Sequence, residues 1–202
     1  MEKNMIDTVV FDIGMVLVDF CWREFLKECN ITGEAYRQIE ENIFMSDMWD
    51  EFDKGIEDEK IIEMCYNAVP DYREEVEHML KNIGHMTKEY DYAAPLIRSL
   101  KERGKKVYLL SNFAGLMYKE ASKYFSFKDM VDGKVVSYEV KKVKPDPAIY
   151  RILIEKYNID PKKAVFLDDR QENIEAAQKE GFHTILFKDS EKALKELEKM
   201  LQ

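Results

Sequence analysis

The stretch MIDTVVFDIG, residues 5–14, is the most informative part of this sequence. Its first seven residues form an apolar run rich in β-branched side chains, which predicts a buried strand. The run stops at Asp12-Ile13-Gly14, so a carboxylate and a turn residue directly follow the predicted strand. This combination of a buried strand and a polar residue at its end recurs further along the chain.

Three later apolar segments also predict strands, and the first two of them end at polar residues. They are residues 106–110 before Ser111-Asn112, residues 164–167 before Asp168-Asp169, and residues 184–187 after Gly181. Helical patterns are predicted at residues 95–103, 146–156, 172–180 and 190–201, and a weaker extended segment at residues 134–140. Strands that alternate with helices predict an α/β fold of the Rossmann-like, doubly wound type, in which helices cover both faces of a parallel sheet.

The region from residue 22 to residue 87 is different, because it contains only short amphipathic helical patterns and no convincing strand. An insertion of this size directly after the first strand predicts a second, all-α unit.

Composition excludes several classes of protein. The chain has 202 residues, 46% of them hydrophobic, with 40 acidic and 31 basic residues and a net charge of −9. This is enough apolar material for a buried core, and the acidic balance does not favour nucleic acid or an anionic membrane as a partner. No apolar run is long enough to span a membrane, and no apolar signal segment follows the first charges at residues 1–4. The three cysteines form no disulfide or zinc pattern. We therefore expect a cytoplasmic protein.

The polar residues at the strand ends each have an ordinary structural explanation. Asp12 could belong to a simple turn, Ser111 and Asn112 could cap a helix, and Asp169 with Glu172 could form a capping box. However, ligands of open parallel sheets bind at the carboxyl ends of the strands. We therefore predict that these residues, together with Lys144 on a later loop, converge on one site.

The order of these segments resembles the haloacid dehalogenase-like (HAD) hydrolase superfamily. Residues 10–19 resemble its first motif, Leu110-Ser111-Asn112 its second, Lys144-Pro145-Asp146-Pro147 its third, and Phe166-Leu167-Asp168-Asp169 its fourth. The helical insertion lies where this family carries an α-helical cap. The resemblance implies a core domain of residues 1–18 and 88–202 and a cap domain of residues 19–87. In style it is closest to α-glucose-1-phosphate phosphatases.

The resemblance implies a magnesium-dependent phosphatase that acts through an aspartyl phosphate. Asp12 is then the nucleophile, and Lys144 orients it and binds the phosphate, as do the Ser111 hydroxyl and the backbone at Asn112. The implied Mg²⁺ ligands are Asp12, the backbone carbonyl of Gly14, Asp168 and Asp169; hard oxygen ligands suit this ion. The implied partner is a small phosphorylated metabolite, a sugar phosphate in particular, and we expect a monomer.

One position departs from the family pattern. Most phosphatases of this family carry a second aspartate, a general acid and base, two residues after the nucleophile; here that residue is Gly14. An alternative is therefore a catalytically weak relative that binds a phosphorylated ligand or a partner protein. A metal-free 2-haloacid dehalogenase is the rival enzyme, but Asp168 and Asp169 disfavour it.

The cap is expected to close over the site and to set specificity. Asp19 and Phe20 could line the substrate pocket, whereas aromatic residues at helical spacing are more often part of a core. For this reason we do not assign Trp49, Phe52 and the adjacent Asp53 to substrate binding, and the sequence leaves the role of Arg170 open.

Overall fold

A computed structural model describes residues 5–202; residues 1–4, for which we expect no signal segment, lie outside the described part. The strands are β1 (Thr8–Phe11), β2 (Val18–Phe20), β3 (Thr87–Glu89), β4 (Lys106–Ser111), β5 (Gly133–Val136), β6 (Ala164–Asp168) and β7 (His183–Leu186). The helices are α1 (Trp22–Glu28), α2 (Gly33–Ile39), α3 (Met48–Asp53), α4 (Asp58–Ala68), α5 (Arg73–Lys81), α6 (Ala93–Glu102), α7 (Gly115–Ala121), α8 (Ser137–Val140), α9 (Pro147–Tyr157), α10 (Gln171–Lys179) and α11 (Ser190–Met200).

Five strands form a parallel sheet in the order β5-β4-β1-β6-β7. The first strand of the chain is thus the central one, with Thr8 opposite Lys106 on one side and Ala164 on the other. All four residues of β1 are buried, which explains why this segment is a continuous apolar run rather than an alternating one.

Helices cover both faces of the sheet, because neighbouring residues of a strand point to opposite sides. Val9 and Phe11 of β1 join one hydrophobic cluster, and Val10 joins a second. The first cluster includes α6 and α11, and the second includes α9 and α10. The predicted Rossmann-like α/β fold is therefore confirmed.

Five helices, α1 to α5, and the segments between them form a helical cap between β2 and β3. These two short strands pair antiparallel, with Val18 opposite Glu89 and Phe20 opposite Thr87. The pair brings the two ends of the insertion together at one side of the parallel sheet. The sequence did not predict it, because strands of three residues carry almost no pattern. The domain boundaries 1–18, 19–87 and 88–202 remain a prediction.

The segment predicted to be extended at residues 134–140 is only partly so. The strand ends at Val136, and residues 137–140 form the helical turn α8. The strand pairs with β4, whose last residue, Ser111, lies opposite Val136, so the pairing ends there. The buried Ser137 hydroxyl then accepts a hydrogen bond of 2.9 Å from the backbone N–H of Phe113.

The cap touches the core closely at Gly55, which has a φ of +81°. A Cβ atom at this position would lie 2.7 Å from the Cα and carbonyl oxygen of Tyr138 in α8. The Gly55 carbonyl also accepts a hydrogen bond from Lys141 Nζ. Glycine is thus required here both by the backbone conformation and by the neighbouring chain.

No helix within residues 5–202 combines the length and the apolar character that crossing a membrane requires.

Candidate active site

The carboxyl ends of the three central strands bring the predicted site residues together. Asp12 follows β1, Ser111 ends β4 and Asp168 ends β6. The Ser111 hydroxyl donates a hydrogen bond of 2.6 Å to Asp12 Oδ1, although the two residues are 99 positions apart. The register of the parallel sheet therefore builds this part of the site.

Lys144 links two of these carboxylates. Its Nζ atom lies 3.0 Å from Asp12 Oδ1 and 2.6 Å from Asp168 Oδ2. Lys144 is 3% exposed, Asp12 8% and Asp168 0%, so the three charges are buried together. A buried charge requires such partners, because an isolated one in the interior is very unfavourable.

Asn112 holds the backbone of Lys144. Its side-chain amide donates to the Lys144 carbonyl at 2.9 Å, while its Oδ1 accepts from the Lys144 N–H at 2.7 Å. The Asn112 side chain is thus engaged with the lysine loop, and any contact with a phosphate would come from its backbone, as we predict above.

Asp12 Oδ1 accepts hydrogen bonds on the side that faces the protein. Besides Ser111 and Lys144, the backbone N–H of Ile13 donates to it at 2.7 Å. Among residues 5–202 no group donates to Asp12 Oδ2, so this second oxygen remains available to a ligand. This arrangement fixes the orientation of the carboxylate and leaves one oxygen free to react.

The carboxylates of Asp12, Asp168 and Asp169 form an acidic cluster, in which one oxygen of each lies within 4.8 Å of the others. Ligands of one Mg²⁺ ion bind at roughly 2.0–2.1 Å, so these oxygens need only small side-chain shifts to share an ion. Nearby, the amide of Asn173 donates to both oxygens of Asp168, while its buried Oδ1 has no hydrogen-bond partner within residues 5–202. This set of oxygen donors fits a hard divalent cation.

The electrostatics of the site are dominated by burial. Burial raises the pKa of Asp12 to about 7; Lys144 opposes this shift and Asp168 adds to it. Burial lowers the pKa of Lys144, but Asp12 and Asp168 outweigh this effect, so it is raised overall and the lysine is charged. Burial and Asp168 also raise the pKa of Asp169. A cation beside these carboxylates would favour their ionised form.

A cavity of about 420 Å³ opens over these residues, within the size range typical of small-molecule sites. The core contributes polar groups to its wall: Asp12, Gly14, Asn112, Lys144, Asp169, Arg170 and Asn173. Apolar side chains supply most of the remaining wall: Met15, Phe20, Trp22, Trp49, Phe113 and Met117. Trp22 and Trp49 of the cap, with Phe20 of β2, thus form an aromatic roof over the polar floor of the cavity.

Sequence reasoning did not assign several residues of this wall to the site, Trp49 among them. Asp53, at the end of α3, Arg170 and Trp22 all line the cavity. The signal available for Asp53 was its spacing of four residues from Trp49, which places both on one face of a helix. Phe52 is instead buried with 1% exposure and packs in the core of the cap, which is the ordinary explanation for a cap aromatic residue.

Comparisons with known proteins identify the family of this chain. A family model described as haloacid dehalogenase-like hydrolase matches residues 6–181. Bifunctional epoxide hydrolase 2 of Rattus norvegicus is 37% identical over 81 residues, which cover 40% of this chain and 14% of that protein. The chain matches only 11–14% of the length of this protein and of three other curated relatives.

Two further comparisons cover most of the chain. Phosphorylated carbohydrates phosphatase of Thermotoga maritima is 23% identical, over 89% of this chain and 83% of that protein. A HAD family enzyme of Bacteroides thetaiotaomicron, crystallised with magnesium and inorganic phosphate, is 25% identical with a TM-score of 0.74, over 89% of this chain and 93% of that chain. Since the family model also covers most of its length, this chain belongs to the haloacid dehalogenase-like hydrolases.

Proposed function

We propose that this protein is a Mg²⁺-dependent phosphatase that hydrolyses a small phosphomonoester through an aspartyl phosphate on Asp12. The observation that carries the proposal is the position of Asp12, which offers a free oxygen to the cavity between a buried lysine and an acidic cluster. A carboxylate that attacks a phosphate dianion experiences charge repulsion, so the site has to supply positive charge.

Each core residue has a distinct part in this reaction. The Asp12 carboxylate attacks phosphorus, which is a recognised form of covalent catalysis. Lys144 orients the nucleophile through its 3.0 Å contact with Oδ1, and its charge attracts the phosphate. The Ser111 hydroxyl donates to the same oxygen at 2.6 Å and can turn to a phosphate oxygen when one is bound.

The acidic cluster supports a magnesium ion as cofactor. Asp12, Asp169 and the backbone of Gly14 would hold the ion, with Asp168 contributing directly or through water. When bound, Mg²⁺ neutralises charge on the phosphate and on the attacking carboxylate. Asp168 also has a second task, because it forms the 2.6 Å ion pair that keeps Lys144 in place.

The aromatic roof of the cavity suggests a substrate with an organic body as well as a phosphate. Trp22, Trp49 and Phe20 can pack against the face of a sugar ring or a similar small body, while Arg170 at the rim offers hydrogen-bond donors. A relative named for its action on phosphorylated carbohydrates also supports a sugar phosphate.

The direct test is phosphate release from a panel of phosphomonoesters, weighted toward sugar 1-phosphates, with Mg²⁺ or with EDTA. We expect release that requires Mg²⁺ and is abolished in Asp12→Asn. The matched control is Asp47→Asn, since Asp47 is exposed, precedes α3 and makes no side-chain capping hydrogen bond. Release in EDTA, or full activity of Asp12→Asn, would overturn the proposal.

Gly14 favours a second candidate, a relative that binds a phosphorylated ligand without turning it over. A folded protein that binds Mg²⁺ and inorganic phosphate but releases no phosphate from any ester would support this alternative. A metal-free dehalogenase is disfavoured, because that chemistry has no use for the three-carboxylate cluster.

A further inference from the structure

Gly14 leaves the core of the site without a carboxyl group two residues after the nucleophile. Gly14 lines the cavity, and a Cβ atom placed there would meet no atom within 4 Å. The place that a side chain at this position would occupy is therefore open space. Lys144 cannot supply a proton to the leaving oxygen, because two carboxylates hold its ammonium group in the charged form.

The cap contributes a carboxyl group to the wall of the same cavity. Asp53 and Trp49 lie one turn apart on α3, and both side chains line the cavity with Asp12. Asp53 also borders an adjoining cavity of about 200 Å³, shared with Lys144 and Arg170. Asp53 therefore lies where the cap meets the phosphate-binding residues of the core.

The Asp53 carboxyl is not used for structure. In the part of the chain that the structure describes, no hydrogen bond acts on it, only burial and the charges of other residues. Several other carboxylates of the cap form surface ion pairs instead, for example Glu34 with Arg37 and Glu51 with Lys54. A half-buried, unpaired carboxyl that faces a reactive site is a candidate for proton transfer.

We propose that Asp53 is the general acid and general base of this enzyme, replacing from the cap the carboxyl group that Gly14 lacks in the core. This inference rests on the proposed phosphatase function. It also gives the cap a chemical role, because the set of catalytic residues would be complete only with the cap closed over the core.

The proton balance of the two steps is simple. In the first, Asp12 forms a bond to phosphorus, the bond from phosphorus to the leaving oxygen breaks, and that oxygen takes the proton of neutral Asp53. In the second, the Asp53 carboxylate takes a proton from water, whose oxygen attacks phosphorus while the bond to Asp12 breaks. Alcohol and inorganic phosphate are released, and both aspartates return to their initial forms.

The protonation of Asp53 is consistent with this role. The pKa of Asp53 is raised to about 7, mainly by burial and also by the carboxylates of Asp12 and Asp50, whereas the charges of Lys144 and Arg170 oppose the rise. The nearby Lys54 forms an ion pair with Glu51. A general acid works best when its pKa is close to the working pH.

The test compares phosphate esters of a nitrophenol and of a primary alcohol as substrates for Asp53→Asn. A nitrophenolate leaves without a proton, whereas an alkoxide requires one. We expect kcat/KM to fall by about 10²–10⁴ for the alkyl ester and far less for the nitrophenyl ester. Asp53→Ser should show the same selectivity, Asp47→Asn should be unaffected, and thermal denaturation checks that each variant is folded.

A second variant tests the same idea by rescue. Adding Gly14→Asp to Asp53→Asn places a carboxyl in the open space of the core, and we expect it to restore part of the alkyl ester activity. If the wild-type enzyme is active but Asp53→Asn loses kcat/KM equally on both esters, or on neither, the role of Asp53 is overturned while the phosphatase proposal stands. A wild-type protein that releases no phosphate from either ester would overturn the phosphatase proposal and with it the role of Asp53.

Discussion

At the scale of single residues, Lys144 is the side chain on which the site most depends. It is buried, and it neutralises Asp12 and Asp168 at 3.0 Å and 2.6 Å. Removing one member of a buried charge group is strongly destabilising, because the remaining charges lose their partner without regaining water. Lys144 is thus both part of the proposed chemistry and part of the structural core.

For Lys144→Met we expect a stability loss of about 3–5 kcal/mol at neutral pH together with loss of phosphate release. Urea denaturation in EDTA measures the stability. The control is Lys142→Met, because Lys142 is exposed and its Nζ forms only a weak surface ion pair, at 3.9 Å, with Asp146. This control should change stability by no more than about 0.5 kcal/mol. Similar stability of the two variants would contradict the structural role of Lys144.

Replacing Asp53 should raise the stability of the metal-free protein near neutral pH, whereas replacing Lys144 lowers it. In the folded metal-free protein its pKa rises from the ordinary 3.8 to about 7. The folded state therefore binds more protons than the unfolded state between these values, so stability falls as the pH rises through this window. Asp53→Asn removes the titrating group and with it this loss.

The measurement is the denaturation temperature of wild type and Asp53→Asn in EDTA, at about pH 5 and about pH 8. We expect the denaturation temperature of the variant to rise relative to that of the wild type as the pH increases. Each kcal/mol of stability corresponds to about 2–4 °C. A difference that stays constant with pH would show that Asp53 titrates normally.

At the scale of elements, the end of β4 and the lysine loop are held together by Asn112. Its two hydrogen bonds, of 2.7 Å and 2.9 Å, fix the backbone at Lys144 and so the direction of the lysine side chain. Small displacements of a catalytic group greatly reduce the rate, even when the group itself is unchanged.

For Asn112→Ala we therefore expect kcat to fall by at least about tenfold with a smaller change in KM. Stability should drop by about 1–3 kcal/mol, since two hydrogen bonds are lost. Steady-state kinetics and urea denaturation measure these effects. Asn82→Ala is the matched control, because Asn82 is hydrogen-bonded to His78 on the exposed side of the cap. Unchanged kcat in Asn112→Ala would contradict its positioning role.

Elements differ in how far the sequence could predict them. Long apolar runs identified the strands that carry Asp12, Ser111 and Asp168, and strand-end chemistry placed these residues at one edge of the sheet. The pairing of β2 with β3 could not be predicted, since each strand has only three residues. The bonds of Asn112 to a loop 32 positions away depend on tertiary structure, as does the approach of Asp53 to the cavity.

At the scale of the whole molecule, the site lies between the cap and the core, and Gly55 sets how closely they approach. Its φ of +81° and the 2.7 Å that would separate a Cβ atom from Tyr138 leave no space for a side chain. For Gly55→Ala we expect the cap to be displaced from α8 and kcat/KM to fall by at least about tenfold.

Gly33→Ala separates this effect from backbone strain. Gly33 also lies in the cap with a positive φ of +61°, but a Cβ atom there meets nothing within 4 Å. Both variants should lose about 1–2 kcal/mol of stability from the left-handed backbone. Only Gly55→Ala should lose activity, as steady-state kinetics will show, and equal activities would mean that the approach at Gly55 is not needed.

The central place of β1 in the sheet also governs the order in which this chain can fold. Both neighbours of β1 come much later in the sequence, at residues 106–111 and 164–168. During synthesis, β1 and the whole cap leave the ribosome before either neighbour exists, so the apolar first strand has two unpaired edges meanwhile. Long-range parallel pairing is slow and exposed to aggregation. The central strand can therefore acquire both of its neighbours only after residue 168 has been synthesised, so the sheet is completed late in synthesis.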